Sequence, residues 1–222
     1  MTGPRADATA MEPFAADQSM HPLEYWISPE LARISPPAAP SRLRELADTQ
    51  GAHAAAWSSA IGAGPVILAA GALATAMTGN PAAVILLGSL GAALTALGVI
   101  SLKRVRAALP NTRGALITRG PGSARGGILT LAVLALILGG ILAVALPGIS
   151  ARGGAALTAV IGAYALLVAF LAACIAVPAA VTGRARESFR RRVQADPNLR
   201  AAVEDDLATW QDPRGNGSYG PL

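Results

Sequence analysis

The sequence predicts an all-α integral membrane protein with four transmembrane helices arranged as two hairpins. Only 14% of the 222 residues are charged and 53% are hydrophobic, whereas an average soluble domain carries about 25% charged residues. None of the 13 acidic residues falls between Asp48 and Glu187. A water-soluble core of that length without a carboxylate would be very unusual. The composition therefore argues against a soluble enzyme, a disulfide-stapled secreted domain and a disordered polyelectrolyte.

Four apolar stretches define the predicted transmembrane domain, residues 41–183. A hydrocarbon core about 30 Å thick needs roughly 20 helical residues to cross it. The stretches that satisfy this length, each without a charged residue, are 57–77, 82–102, 127–146 and 155–177. Turn residues at 78–81 and 147–148 close the first and third of them. A polar helical lead-in, residues 41–53, precedes the first.

Basic residues predict the orientation of these helices. The loop over residues 103–125 holds six of them and no acid, and the segment after the fourth stretch holds five arginines and one acid. The short turns at 78–81 and 147–154 hold only Arg152 between them. Because Lys and Arg are retained on the cytoplasmic side, both termini and the middle loop are expected there.

Only one of the 18 basic residues is lysine, and alanine is abundant. This bias is typical of a GC-rich genome, which favours a bacterial plasma membrane.

The N-terminal residues 1–40 are rich in Ala, Pro and small polar types and are expected to be mostly disordered. Residues 21–35 differ, because they contain aromatic and aliphatic side chains, with Ser28 and Pro29 as a helix N-cap and first helical residue. Two interpretations of Tyr25 and Trp26 are open. They anchor a docking motif for a partner, or they rest in the headgroup region of the membrane.

Residues 184–210 are expected to form a cytoplasmic basic segment followed by an amphipathic helix that starts at Asp196-Pro197. One helical face carries apolar side chains at spacings of 4, 4 and 3, namely Leu199, Val203, Leu207 and Trp210. The acidic polar face argues against an anionic membrane surface. This helix is therefore predicted to dock against the chain's own segments, a second copy or a partner. The tail, 211–222, is expected to be disordered.

Small residues predict where the transmembrane helices meet. Lipid supplies no hydrophobic drive for helix association, so close backbone approach over small side chains takes its place. The second helix presents Gly88, Gly91, Thr95 and Gly98 along one face, and the fourth presents Thr158, Gly162, Ala165, Ala169 and Ala173. The pattern leaves open whether these seams lie within one chain or between copies.

The sequence offers no catalytic, cofactor-binding or metal-binding constellation. The predicted helices contain no Asp, Glu, Lys, Arg or His, which argues against a proton-coupled transporter. Their Ser and Thr hydroxyls either bond to their own helix backbone or line a pore formed by several copies. Cys174 is alone in an apolar run, and His21 and His53 have no ligand cluster around them. Neither a nucleophile nor a metal site can be assembled from these residues.

Basic residues near the predicted helix ends are expected to contact anionic lipid headgroups rather than nucleic acid, because the positive-inside bias already accounts for them. The residues assigned to this contact are Lys103, Arg104, Arg106, Arg190, Arg191 and Arg192. Together these features predict a non-enzymatic accessory or scaffold subunit of a membrane complex, with a membrane-protein partner or self-association. The alternative is a small homo-oligomeric channel or transporter subunit.

Overall fold

The computed structural model describes residues 21–34, 41–110, 122–210 and Leu222. Within those ranges all regular secondary structure is helical and no strand occurs. The helices are α1 (Leu23–Trp26), α2 (Pro29–Ile34), α3 (Arg42–Thr78), α4 (Ala82–Ala107), α5 (Ala124–Ser150), α6 (Gly154–Leu171), a π-helical turn (Ala172–Ala176), α7 (Val177–Thr182), α8 (Ala185–Ala195) and α9 (Pro197–Thr209). Of the segments predicted to be disordered, 1–40 and 211–222, residues 1–20, 35–40 and 211–221 lie outside the described residues. Leu222 departs from the prediction, because it is buried and its amide donates a hydrogen bond to the Trp26 carbonyl.

Four helices are long and apolar enough to cross a membrane, as predicted: α3, α4, α5 and the continuous helix Gly154–Thr182, here called the α6–α7 helix. The first of them is longer than the predicted span. It comprises 37 residues, because the polar lead-in continues into the apolar stretch without a break. α5 likewise passes through Pro147 to Ser150. Proline has no amide hydrogen to donate, but its carbonyl accepts a hydrogen bond from the Ala151 amide at 3.3 Å in the last turn.

Local side chains fix the ends of α3 and α4. Ser41 caps α3, its hydroxyl accepting a hydrogen bond from the Arg44 amide at 3.3 Å. α3 ends at Gly79, whose φ of +72° lies in the left-handed region that favours glycine. The Thr75 hydroxyl accepts a hydrogen bond from the Val84 amide at 3.1 Å, across the turn. The otherwise unpaired amides of the first turn of α4 are thus partly satisfied, which matters where water is scarce.

α3 is central among the four long helices. It packs against α4 on one side and against the α6–α7 helix on the other, and α5 packs against the α6–α7 helix. A Cβ atom at Gly62 would lie 3.1 Å from Cβ of Ala173, and one at Gly162 would lie 3.1 Å from Leu73. From the first contact to the second, the residue number rises along α3 and falls along the α6–α7 helix, so the two helices are antiparallel.

The side of α5 away from the α6–α7 helix is covered by nothing in the described part of the chain. Leu136 is 79% exposed and Val144 is 86% exposed. Such a row of bare aliphatic side chains would be strongly disfavoured in water, whereas hydrocarbon solvates it well. The exposure pattern is therefore that of a helix in contact with lipid or with another membrane protein.

The best-buried part of the molecule lies at the opposite end of α3 from Gly79. There α1, the first four turns of α3, α8, α9 and Leu222 form a small unit, called the end module below. Its apolar core consists of Leu23, Ile27, Leu43, Leu46, Ala47, Phe189, Val193, Leu199, Val203, Leu207 and Leu222. Side chains from distant parts of the chain thus form a core of their own, and α3 runs from this core into the membrane-length helices without a break.

Candidate functional site

The end module is the candidate site, because the predicted docking residues meet there. Leu199, Val203 and Leu207 are at most 3% exposed, and they pack within the chain's own core. Asp196 positions this face by capping α9, its carboxylate accepting hydrogen bonds from the Asn198 and Leu199 amides. Of the three occupants that the sequence allowed for this face, the structure places the chain's own segments on it. A partner could reach it only if the end module opened.

The two N-terminal aromatic residues differ in accessibility. Trp26 packs against the core, and its carbonyl accepts a hydrogen bond from the Leu222 amide at 3.0 Å. Tyr25 is 41% exposed and stacks on His21, with ring centroids 4.3 Å apart. Tyr25 is therefore the more accessible of the two residues to a partner.

A buried guanidinium joins α3 to α9. Nε and Nη2 of Arg42 donate to the two carboxylate oxygens of Asp206 at 2.9 and 3.0 Å. Nη1 donates to Glu45 at 3.1 Å, and the guanidinium lies 5.5 Å from the ring centroid of Trp210. The hydrogen bond to Asp206 raises the pKa of Arg42 above its ordinary value. The predicted docking residue Trp210 is thereby held against the first turn of α3 by a cation–π contact.

Two further charged side chains of α3 lie near α8. Arg186 donates two hydrogen bonds to the carboxylate of Asp48, at 2.9 and 2.8 Å, which raises the pKa of Arg186. Arg44 is only 5% exposed, and burial lowers its pKa, assisted by repulsion from Arg186. A cleft of about 420 Å³ opens beside this pair, lined by Asp48, Gly122, Thr182, Gly183, Ala185 and Arg186. It brings together an ion pair, small residues and the Thr182 hydroxyl, which donates to the Pro178 carbonyl at 2.9 Å.

The C-terminal end of α4 is bound to the end module through its backbone. The Gln50 side chain is completely buried and donates to the carbonyls of Val105 and Ala108 at 2.8 and 3.1 Å. Arg192 donates to the Arg106 carbonyl at 3.5 Å. These donors satisfy carbonyls that the end of a helix leaves without partners. α4 is therefore attached to the end module as well as to the membrane-length part of α3.

Beside this contact lies a second, mostly apolar cleft of about 270 Å³. Its lining residues are His53, Arg104, Val105, Ala108, Leu109 and Pro110. His53 uses Nδ1 to contact the Thr49 carbonyl at 2.9 Å. Because a carbonyl only accepts, Nδ1 carries the hydrogen, and Nε2 is left for contacts outside the helix.

The six basic residues predicted to contact lipid headgroups fall into two groups. Lys103, Arg104 and Arg106 are exposed near the end of α4. The three on α8 are engaged within the chain: Arg190 donates to the Leu222 carbonyl, Arg191 to Glu187 and Arg192 to the Ser188 and Arg106 carbonyls. The pKa of Glu187 is lowered by its hydrogen bond from Arg191, and burial lowers that of Arg192.

The predicted small-residue face of α4 lies against α3 of the same chain. A Cβ atom at Gly91 would clash with the Gly64 carbonyl oxygen, and one at Gly98 would lie 2.8 Å from Ile61. Thr95 is part of the same contact, because its Oγ1 and Cβ lie close to Gly64. Gly88 lies at the looser end, where a Cβ atom would reach only to 4.0 Å from a Leu68 side-chain carbon.

The predicted seam of the fourth helix is only partly used inside the chain. Gly162 and Ala173 contact α3, as described above. Thr158, Ala165 and Ala169 are exposed, and the Thr158 hydroxyl bonds back to the Gly154 carbonyl at 3.0 Å. These three positions present a smooth surface that no described segment covers.

Sequence reasoning missed several residues that build the site. Phe189 lies in a run of arginines and is fully buried, although its spacing of four from Ala185 and Val193 is a helical signal. Gln50 carried no signal, because its carbonyl partners are far away in sequence.

Within the described ranges, no group of three or more His, Cys, Asp or Glu side chains is placed to hold a metal ion. No family model, curated protein or solved structure matches this chain.

Proposed function

We propose that this chain is a non-enzymatic multi-pass membrane protein that acts by association, as an accessory or scaffold subunit of a membrane complex. The observation that supports it best is the division of the molecule. Four apolar helices without Asp, Glu, Lys, Arg or His in their spanning stretches adjoin an end module that has its own apolar core. Proton relays, ion pathways and substrate sites in membranes normally need buried ionisable groups. A chain without them is better suited to binding than to transport or catalysis.

The proposed topology has both ends and the end module in the cytoplasm of a bacterial plasma membrane, with two hairpins connected by the basic middle loop. It is supported by the charge distribution, because the basic residues cluster at the end-module side and the opposite turn at 78–81 has none.

The partner surface is proposed to lie on the fourth helix rather than on the core of the end module. Leu199, Val203 and Leu207 are already covered by the chain itself. Ala165 and Ala169 are small, exposed and on one helical face, so another transmembrane helix could approach closely there. Tyr25 would add a contact outside the membrane.

The test is purification of the tagged chain from its native membrane in mild detergent, with mass determination of what co-purifies. A stoichiometric second protein is expected. The double variant Ala165→Leu, Ala169→Leu should lose it, because added bulk prevents close helix approach. The matched control is Val144→Leu, on the exposed side of α5, which should retain it.

Two outcomes would count against the proposal. Loss of the partner in the Val144→Leu control as strongly as in the seam variant would show that the effect is not specific to the fourth helix. A pure homo-oligomer without a second protein would favour the channel or transporter alternative, which solute flux in liposomes would then address.

A further inference from the structure

The cleft lined by His53 and Arg104 lies next to the ends of two apolar stretches, where the proposed membrane would change from hydrocarbon to headgroups. Trp57 begins the first stretch and Leu102 ends the second. A Cβ atom at Gly98 would lie 3.2 Å from the Trp57 carbonyl oxygen, so these two ends lie at the same end of the helix pair. With a rise of about 1.5 Å per residue, His53 lies about 6 Å beyond Trp57 and Arg104 about 3 Å beyond Leu102. The headgroup layer extends roughly 5–8 Å beyond the hydrocarbon, so both residues fall within it.

The charge around this cleft favours an anion. Arg104 lines it, with Lys103 and Arg106 exposed on the same end of α4. Among the described residues, no carboxylate forms an ion pair with any of these three. The arginines of α8 are engaged within the chain instead, and Asp48 and Glu187 are paired with Arg186 and Arg191. The positive charge at the end of α4 is therefore left for an external anion.

The shape and lining of the cleft favour an anion that carries an apolar part. Val105, Leu109 and Pro110 form an apolar wall, with the imidazole and the guanidinium beside it. Nε2 of His53 is left for an external contact, since Nδ1 is bonded to the Thr49 carbonyl. A free phosphate ion would use the two polar groups and leave the apolar wall in water. A phospholipid would use both.

We propose that this cleft binds an anionic phospholipid, with Arg104 and His53 contacting the headgroup phosphate and Leu109 and Pro110 contacting the glycerol and the upper acyl chain. The proposal rests on the membrane insertion proposed above and is independent of any protein partner. It also separates the basic residues by role. Arg104 binds lipid, whereas Arg191, on α8 and paired with Glu187, does not.

The experiment measures lipid retention by the purified full chain in native mass spectrometry, during titration with phosphatidylglycerol or with phosphatidylcholine. We expect phosphatidylglycerol to be retained preferentially. Arg104→Gln should weaken the binding of phosphatidylglycerol about fivefold, because the variant loses the attraction of one surface basic residue to anionic lipid. Arg191→Gln is the matched control, because it removes the same charge elsewhere and should leave binding unchanged.

Three results would overturn the proposal. Equal binding of the two lipids would show that headgroup charge is not recognised. Equal losses in Arg104→Gln and Arg191→Gln would show that the net charge of the chain, and not this cleft, attracts lipid. Full displacement of phosphatidylglycerol by an equal concentration of inorganic phosphate would show that the site binds phosphate alone. Co-purification of a second protein is measured in a separate experiment, so failure of the lipid-binding proposal can be told apart from failure of the proposed function.

Discussion

Arg42 shows how one side chain connects distant parts of this chain. It is the first residue of α3 and binds Asp206 of α9, 164 residues further along the sequence. The sequence placed Arg42 in a polar lead-in and Asp206 on the outer side of an amphipathic helix. Neither position pointed to the other, because an ion pair between distant segments depends on the tertiary fold, and the local sequence pattern does not encode it.

Replacement of Arg42 is predicted to destabilise the end module. Arg42→Gln removes a charged donor from a largely buried site and leaves Asp206 without its two hydrogen bonds, which should cost about 2 kcal/mol. The measurement is the midpoint of thermal unfolding in mild detergent. Arg191→Gln is the control and should leave the midpoint unchanged, because its pair with Glu187 is exposed. Equal shifts in both variants would contradict a special role for Arg42.

At the scale of the helices, the sequence predicted the type of each element better than its packing partners. The four apolar stretches were predicted from length and hydropathy, and four helices of that kind are present. The small-residue face of α4 was predicted as well, but its partner on α3, Gly64, was not. Single glycines in a glycine-rich chain give no pairing information, because the contact depends on the relative register of two helices.

The contact between α3 and α4 can be tested at Gly91. Gly91→Val would drive a side chain into the Gly64 carbonyl, which should lower stability by about 2 kcal/mol through overpacking. Gly140→Val is the control in α5, where a Cβ atom would meet no other atom within 4 Å. Both changes replace a helical glycine, so intrinsic helix propensity cancels between them. Comparable unfolding midpoints for the two variants would mean that α3 and α4 do not depend on this close approach.

At the scale of the whole molecule, the sequence predicted an extramembrane amphipathic helix but not the unit that it joins. The end module is assembled from segments near both ends of the sequence, with Leu23, Leu43, Phe189 and Leu207 in one core. Each segment alone is short and only partly apolar. The contribution of each segment to this core depends on the antiparallel helices, which bring residues near 45 and near 190 to the same end of the molecule.

The orientation of the whole molecule is predicted to put the turn 78–81 outside and the end module inside. The test uses two single-cysteine variants in a Cys174→Ala background, Asn80→Cys and Ala108→Cys. Because basic residues remain cytoplasmic, an impermeant maleimide added to intact cells should label the first and not the second. Permeabilised cells should label both. Labelling of only the Ala108→Cys variant in intact cells would show the reverse orientation.

The uninterrupted course of α3 has a mechanical consequence. Its 37 residues make a helix about 55 Å long, with Pro65 inside the spanning part. The first 15 residues lie beyond the apolar stretch and carry the end module. No loop between the two parts can absorb motion. A change of about 10° in the tilt of the spanning part would move Arg42 sideways by roughly 4 Å, given about 1.5 Å of rise per residue. A change in membrane thickness, or the pull of a neighbouring subunit, would thus displace the whole end module, with α3 as the lever arm.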